Sequence, residues 1–112
     1  MATGHRITTR PSDHHVRVEF DGQVLAETDR AIELDETGLP TRFYIPRDDV
    51  RMELLEPSET TSHCPFKGDA TYFSAGAVKD AFWVYEAPDQ DAAQPIARLL
   101  APWPGRVEVV VD

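Results

Sequence analysis

The sequence contains few of the residues that build metal sites or covalent crosslinks. It has one cysteine, Cys64, among 112 residues, and a single cysteine excludes an internal disulfide. A closed zinc site needs four ligands, usually dominated by thiolates. The chain offers one thiol and four histidines, of which only His63 adjoins the cysteine. We therefore expect no structural metal and no other cofactor.

Long apolar runs and an excess of basic charge are also missing. No segment approaches the length of a bilayer-spanning helix, and residues 1–7 lack the apolar core of a secretory signal. Together with the single cysteine, these features predict a cytoplasmic protein with no membrane partner. Twenty acidic residues against eleven basic ones give a net charge of -9. This balance argues against nucleic acid as a partner, because nucleic-acid binders need a basic face for the phosphates.

What the chain does contain is a succession of short strand patterns over the length of one domain. Residues 1–12 are polar and lack periodicity, which predicts a flexible N-terminal tail, and residues 13–112 predict a single domain. Residues 15–20 alternate apolar and polar side chains, and Asp21-Gly22 separates them from a second strand over residues 23–28. An Asp-Gly pair between two such runs predicts a β-hairpin.

The remainder of the chain predicts more strands and one helix. Residues 88–101 favour the helix, because Ile96, Leu99 and Leu100 fall at helical spacing. The expected fold is therefore mainly β, with folded antiparallel sheets and one C-terminal helix. The further strands are predicted over residues 41–45, 71–74, 81–85 and 107–111.

The stretch Thr60–Tyr72 concentrates residue types that are rare elsewhere in the chain. It reads TTSHCPFKGDATY and holds the cysteine, one of only two lysines, a histidine, a proline and a glycine. With YIPRDDV before it and AFWVYEAP after it, this stretch resembles the family known as domain of unknown function 427, over roughly residues 14–112. The resemblance implies the β-tent fold of the Mss4-like proteins, in which folded antiparallel sheets enclose a cleft. It implies no settled activity.

Cys64 is the one candidate for a catalytic group. A reactive thiol needs a lowered pKa, which His63 or Lys67 could supply by stabilising the thiolate. The alternative is a small, buried, apolar side chain before a proline. Because neighbouring residues on a strand point to opposite faces, a Cys64–His63 pair is disfavoured. Whether the protein is an enzyme is left open.

Arg47 and Lys67 are candidates for holding an anion. An arginine after a proline can offer its planar fork to a carboxylate or a phosphate, and a lysine in a stiff loop can bind the same group. The alternative is that each forms a salt bridge with a nearby acid such as Asp48 or Asp69. Thr61 could add a hydroxyl donor or simply form a turn.

Tyr72, Trp83 and Tyr85 could stack on the ring of a ligand, or they could belong to the core. In the strand over residues 81–85, Trp83 and Tyr85 share one face, and Phe82 and Val84 share the other. One face should therefore be interior, and the other could border a cleft.

The leading prediction is that the protein binds a small anionic or aromatic metabolite in a cleft around the HCPFKG loop. One alternative is a thiol-dependent enzyme that uses Cys64. Another is a protein-interaction module in which the loop is purely structural. The protein is expected to be either a monomer or a homodimer. The ligand-binding candidates are Arg47, Thr61, His63, Cys64, Lys67, Tyr72 and Trp83.

Overall fold

The computed structural model describes residues 5–112, and most of this part of the chain is antiparallel β structure. Three short 3-10 helices lie between the strands, at Arg47–Asp49, Met52–Leu54 and Asp91–Ile96. Within these residues no helix is long and apolar enough to cross a bilayer. The strands are β1 (Ile7–Pro11), β2 (Val16–Phe20), β3 (Gln23–Thr28), β4 (Ile32–Glu36), β5 (Arg42–Tyr44), β6 (Glu56–Cys64), β7 (Gly68–Ala75), β8 (Val78–Tyr85), β9 (Leu100–Pro102) and β10 (Glu108–Val111).

The strands form three sheets, which confirms the prediction of a mainly antiparallel β fold. Sheet A has the order β1-β4-β5, sheet B the order β10-β2-β3, and sheet C the order β6-β7-β8-β9. Sheets A and C meet where Ile45 and Leu100 exchange backbone hydrogen bonds of 2.8 and 2.9 Å. An isolated bridge between Ala26 and Val50 attaches the edge of sheet B to the segment after β5.

The predicted hairpin at Asp21-Gly22 is confirmed. These two residues connect β2 to β3, with φ angles of 51° and 80°. A two-residue hairpin loop needs such left-handed angles, which aspartate tolerates and glycine adopts without strain. Val16 and Val18 are fully buried on the inner face of β2, as the alternating pattern predicts.

Strand β8 supplies residues to two separate apolar clusters. Phe82 and Val84 are fully buried and pack in the cluster that includes Val16 and Val18 of sheet B. Trp83 and Tyr85 face the other way, into a cluster that includes residues of sheet A. The predicted division of this strand into an interior face and a second face is therefore confirmed, and sheet A covers the second face.

The predicted C-terminal helix over residues 88–101 is wrong. The segment contains only the 3-10 helix Asp91–Ile96, and Leu100 already belongs to strand β9. Pro95 lies inside the 3-10 helix and has no backbone N–H to donate. Arg98 then adopts a φ of 68° and donates its N–H to the Tyr85 carbonyl at 2.9 Å, which redirects the chain into sheet C. Ile96 and Leu100 are both buried, but Ile96 lies in the 3-10 helix and Leu100 in a strand. Their helical spacing therefore does not mark one face of a helix.

The predicted flexible tail over residues 1–12 also needs correction. Residues 1–4 lie outside the described residues, but Ile7–Pro11 form strand β1, which pairs with β4 from Ile7–Glu36 to Pro11–Ile32. Ile7 is buried, whereas the other side chains of this strand are half-buried or exposed. A strand at a sheet edge buries few side chains, so its sequence shows little apolar periodicity.

Candidate functional site

The segment that carries the HCPFKG motif is a β-hairpin rather than an irregular loop. Strand β6 ends at Cys64 and strand β7 begins at Gly68. The Lys67 N–H donates to the Cys64 carbonyl at 3.2 Å, and the Lys67 carbonyl accepts from the Asp89 N–H at 3.3 Å. Gly68 has a φ of 99°, in the left-handed region that favours glycine. The turn therefore fixes the backbone from which the Lys67 side chain extends.

Lys67 points into a cavity of about 290 Å³ between sheets A and C. The walls are largely aromatic, and three charged side chains, Glu36, Arg42 and Lys67, border the same space. Leu34, Leu39, Pro40 and Pro104 complete the lining. The aromatic residues are Tyr44, Tyr72, Trp83, Tyr85 and Trp103.

The aromatic side chains of the cavity hold one another in place. Trp83 and Trp103 pack edge to face with ring centroids 5.9 Å apart, and Tyr72 lies 6.0 Å from Trp103. The indole N–H of Trp83 donates to the Tyr44 hydroxyl at 3.0 Å, and Tyr72 shares a 2.8 Å hydrogen bond with the Ser62 hydroxyl. Fixed rings lose little conformational freedom when a ligand binds, so this wall is preorganised for a flat apolar group.

The phenols of Tyr44 and Tyr85 are held in their neutral form. Burial raises the pKa of each hydroxyl well above its usual value near 10, because the phenolate would lose its hydration. For Tyr44 the hydrogen bond from Trp83 opposes this rise in pKa, but the effect of burial is larger. At neutral pH both groups are therefore uncharged and can act as hydrogen-bond donors.

The Lys67 ammonium forms a buried ion pair with Glu36 of strand β4. The side chains are only 9% and 6% exposed, and the Lys67 Nζ also lies 5.6 Å from the centre of the Tyr85 ring. The second Glu36 oxygen is 3.1 Å from the Nε2 of His5, whose ring stacks on Phe66 at 3.6 Å. Within residues 5–112, no atom completes a hydrogen bond to that buried nitrogen. These contacts tie the hairpin turn of sheet C to sheet A.

Arg42 is the cavity-lining cation whose charge is not neutralised. In the part of the chain that the structure describes, it forms no ion pair. Its guanidinium lies 5.7 Å from the centre of the Trp83 ring, and its side chain is half-buried. Lys67 and Glu36 cancel one another, so Arg42 leaves the lining with an excess of one positive charge.

The other arginine proposed from the sequence, Arg47, lies away from this cavity. Its Nε donates to the Arg98 carbonyl at 2.9 Å, and its guanidinium pairs with Glu86. The structure brings together Lys67, Tyr72 and Trp83 of the predicted ligand-binding residues, and it does not bring Arg47 to them.

Cys64, His63 and Thr61 lie on β6 but do not line the cavity. Cys64 is half-buried and packs against the cluster beneath the aromatic wall. His63 faces the other side of the strand, where its Nδ1 lies 2.8 Å from the Asp69 carboxylate. Thr61 shares that outer face and is exposed. A Cys64–His63 contact is therefore absent from this hairpin.

The described residues offer no evident metal centre. Across residues 5–112, no three histidine, cysteine, aspartate or glutamate side chains converge in a way that could hold a metal ion. What the site offers instead is a preorganised aromatic wall, one unpaired guanidinium and a buried amine beside a carboxylate.

Sequence reasoning missed four of the residues that define the cavity, namely Glu36, Arg42, Tyr44 and Trp103. Alternation over Arg42-Phe43-Tyr44 places Arg42 and Tyr44 on one strand face, and that signal was available. For Glu36 and Trp103 no local signal exists, because each reaches the cavity through pairings between distant segments.

The fold and the cavity define a small antiparallel β domain with one aromatic cleft between two of its sheets. The chain belongs to the family described as a domain of unknown function (DUF427), whose model matches residues 8–112. This match confirms the resemblance carried by residues 44–88. A comparison with curated proteins gave no significant match.

Proposed function

We propose that the protein binds a small molecule that combines a flat aromatic ring with an acidic group, in the cavity between sheets A and C. The observation that carries this proposal is Arg42, a guanidinium that forms no ion pair within residues 5–112 and lies half-buried beside Trp83 in an aromatic cavity. A guanidinium with no carboxylate partner is suited to a carboxylate or phosphate, which it can hold with two parallel hydrogen bonds.

The aromatic walls support the ring of the proposed ligand. Trp83, Trp103 and Tyr72 present faces and edges to the same space, and aromatic groups gain from offset or edge-on packing beyond simple burial. The volume of about 290 Å³ matches a ligand with one or two rings at the small end of the usual range. The Arg106 guanidinium stacks on Trp103 at 3.6 Å and supports that ring.

Intrinsic fluorescence gives a direct test, because both tryptophans of the chain, Trp83 and Trp103, line the cavity. We expect aromatic acids such as phenylacetate or benzoate to change the fluorescence saturably, and their neutral amides to bind more weakly. Arg42→Gln should weaken binding of the acid by about tenfold, since a charge-assisted contact is worth at least ~1.4 kcal/mol. The amide should bind Arg42→Gln and wild type alike.

Arg47→Gln is the matched control, because Arg47 pairs with Glu86 outside the cavity. It should bind the acid with wild-type affinity. The proposal fails if no acid of the series changes the fluorescence saturably. It also fails if Arg47→Gln and Arg42→Gln weaken binding equally.

A further inference from the structure

The buried pair of Lys67 and Glu36 has a chemistry that simple binding of an aromatic acid does not use. Both side chains border the cavity, and both are more than nine-tenths buried. Lys67 is one of only two lysines in the chain, and its amine is directed at the same space as the aromatic walls. An amine next to a bound ring is placed to attack a carbonyl group on that ring.

We propose that Lys67 forms a reversible imine with a ligand that carries an aldehyde as well as the aromatic ring and the acidic group. This inference rests on the proposed function, since Arg42 and the aromatic wall would place the carbonyl beside the amine. The ligand class is thus an aromatic aldehyde bearing a carboxylate or a phosphate.

The surroundings of Lys67 provide a route to the neutral amine that the reaction needs. The Glu36 carboxylate is hydrogen-bonded directly to the Lys67 ammonium, so it is the group placed to accept one proton from Lys67 as the carbonyl approaches. The other Glu36 oxygen lies 3.1 Å from His5 Nε2, and no hydrogen bond joins the two within residues 5–112, so the proton is exchanged between Lys67 and Glu36 alone.

The reaction balances without any further reagent. The neutral Lys67 nitrogen attacks the carbonyl carbon, the C=O π electrons move to oxygen, the acid form of Glu36 protonates that oxygen, and the nitrogen returns one proton to Glu36 to give a neutral carbinolamine. Glu36 then protonates the hydroxyl group, which leaves as water as the nitrogen lone pair forms the C=N bond. The product is a protonated imine between ligand and lysine, paired with the Glu36 carboxylate. Addition of water reverses the sequence and restores the aldehyde.

Reductive trapping on the full chain tests this proposal. Wild-type protein is incubated with 4-carboxybenzaldehyde and cyanoborohydride, which delivers hydride to the protonated imine and leaves a stable secondary amine. Peptide mass spectrometry then locates the adduct. We expect labelling of Lys67 to exceed that of the exposed Lys79 by about tenfold or more, because the bound ring raises the local carbonyl concentration. 4-Carboxybenzamide, which has no aldehyde, should suppress labelling at Lys67 and leave Lys79 unaffected.

Two variants and a separate binding measurement make the outcomes distinct. Lys79→Arg should leave labelling of Lys67 unchanged. Lys67→Arg should abolish the labelling at position 67 and leave only the weaker labelling of Lys79. A buried ion pair with a purely structural role predicts the reverse order, with Lys67 labelled more slowly than Lys79, and that result overturns the proposal. If phenylacetate still changes the tryptophan fluorescence of wild-type protein in that case, the proposed function stands and only the imine is refuted.

Discussion

At the scale of single residues, burial and pairing decide which of the charged side chains can meet a ligand. Lys67 and Arg47 looked alike in the sequence, as cations in a motif-rich stretch. In the fold Lys67 is buried against Glu36, Arg47 is joined to Glu86, and Arg42, in the cavity lining, has no ion-pair partner among the described residues 5–112. A sequence shows which charges exist, but the partner of each charge depends on strands brought together from elsewhere in the chain.

The Lys67–Glu36 pair leads to a prediction about stability. Lys67→Met should lower the free energy of unfolding by about 3 kcal/mol, because it leaves the Glu36 carboxylate buried without its cation. Adding Glu36→Leu should recover most of this loss, since the uncompensated charge is then removed. Urea denaturation followed by tryptophan fluorescence measures all corners of the double-mutant cycle. Strictly additive effects, or a loss under about 1 kcal/mol for Lys67→Met, would contradict the interpretation of a coupled buried pair.

At the scale of secondary-structure elements, the β6–β7 hairpin determines where the motif residues point. Its turn places Lys67 toward sheet A, and the alternation of β6 sends Cys64 inward and His63 outward. The turn itself depends on Gly68, whose φ of 99° disfavours any side chain. A Cβ at this position would lie 3.2 Å from Asp89 Oδ2 and 3.5 Å from the Ala87 carbonyl.

We expect Gly68→Ala to destabilise the domain by about 2 kcal/mol, because backbone strain and crowding act together. Gly22→Ala is the matched control: Gly22 also has a positive φ, but a Cβ there meets open space. Its cost should be about 1 kcal/mol, from backbone strain alone. Equal losses in urea unfolding would show that Asp89 yields freely and that the turn is not crowded.

The same elements show how far sequence reasoning reaches. Hairpin β2–β3 and the two faces of β8 could be predicted, because alternation and Asp-Gly turn chemistry act over a few neighbouring residues. The predicted helix over residues 88–101 could not be rejected from the local sequence, because a turn followed by a strand produces the same apolar spacing. Of the residues that line the cavity, Lys67, Tyr72 and Trp83 stand out in the sequence by their motifs, while Glu36 and Trp103 reach it through tertiary pairing that no local pattern records.

At the scale of the whole molecule, the first described strand is part of the structure that encloses the site. Strand β1 covers the edge of β4, and His5 links Glu36 to Phe66 of the hairpin turn. The N-terminal segment therefore holds residues around the cavity in position, although it contributes no residue to the cavity lining.

Removal of residues 1–11 tests this role. We expect a loss of at least about 3 kcal/mol in the free energy of unfolding, from loss of the buried Ile7 side chain, exposure of the apolar surface that it covers, and loss of the β1–β4 hydrogen bonds. A chain that lacks only residues 1–4 keeps β1 and His5, and it serves as the control. Thermal unfolding and tryptophan fluorescence of the two chains give the comparison. If the shorter chain is as stable as the control, β1 is dispensable, as a flexible tail would be.

The joining of sheets A and C through Ile45 and Leu100 has a consequence for the kinetics of folding. The cavity walls come from residues 34–44 and 67–104, and their closest backbone link connects positions 45 and 100. Such distant pairings cost loop-closure entropy and tend to form late, so the cavity should be completed only as the last sheets dock. A ligand held between the two sheets would then stabilise the protein mainly by lowering the rate of global unfolding. Ligands with a longer residence time would give the native state a longer lifetime.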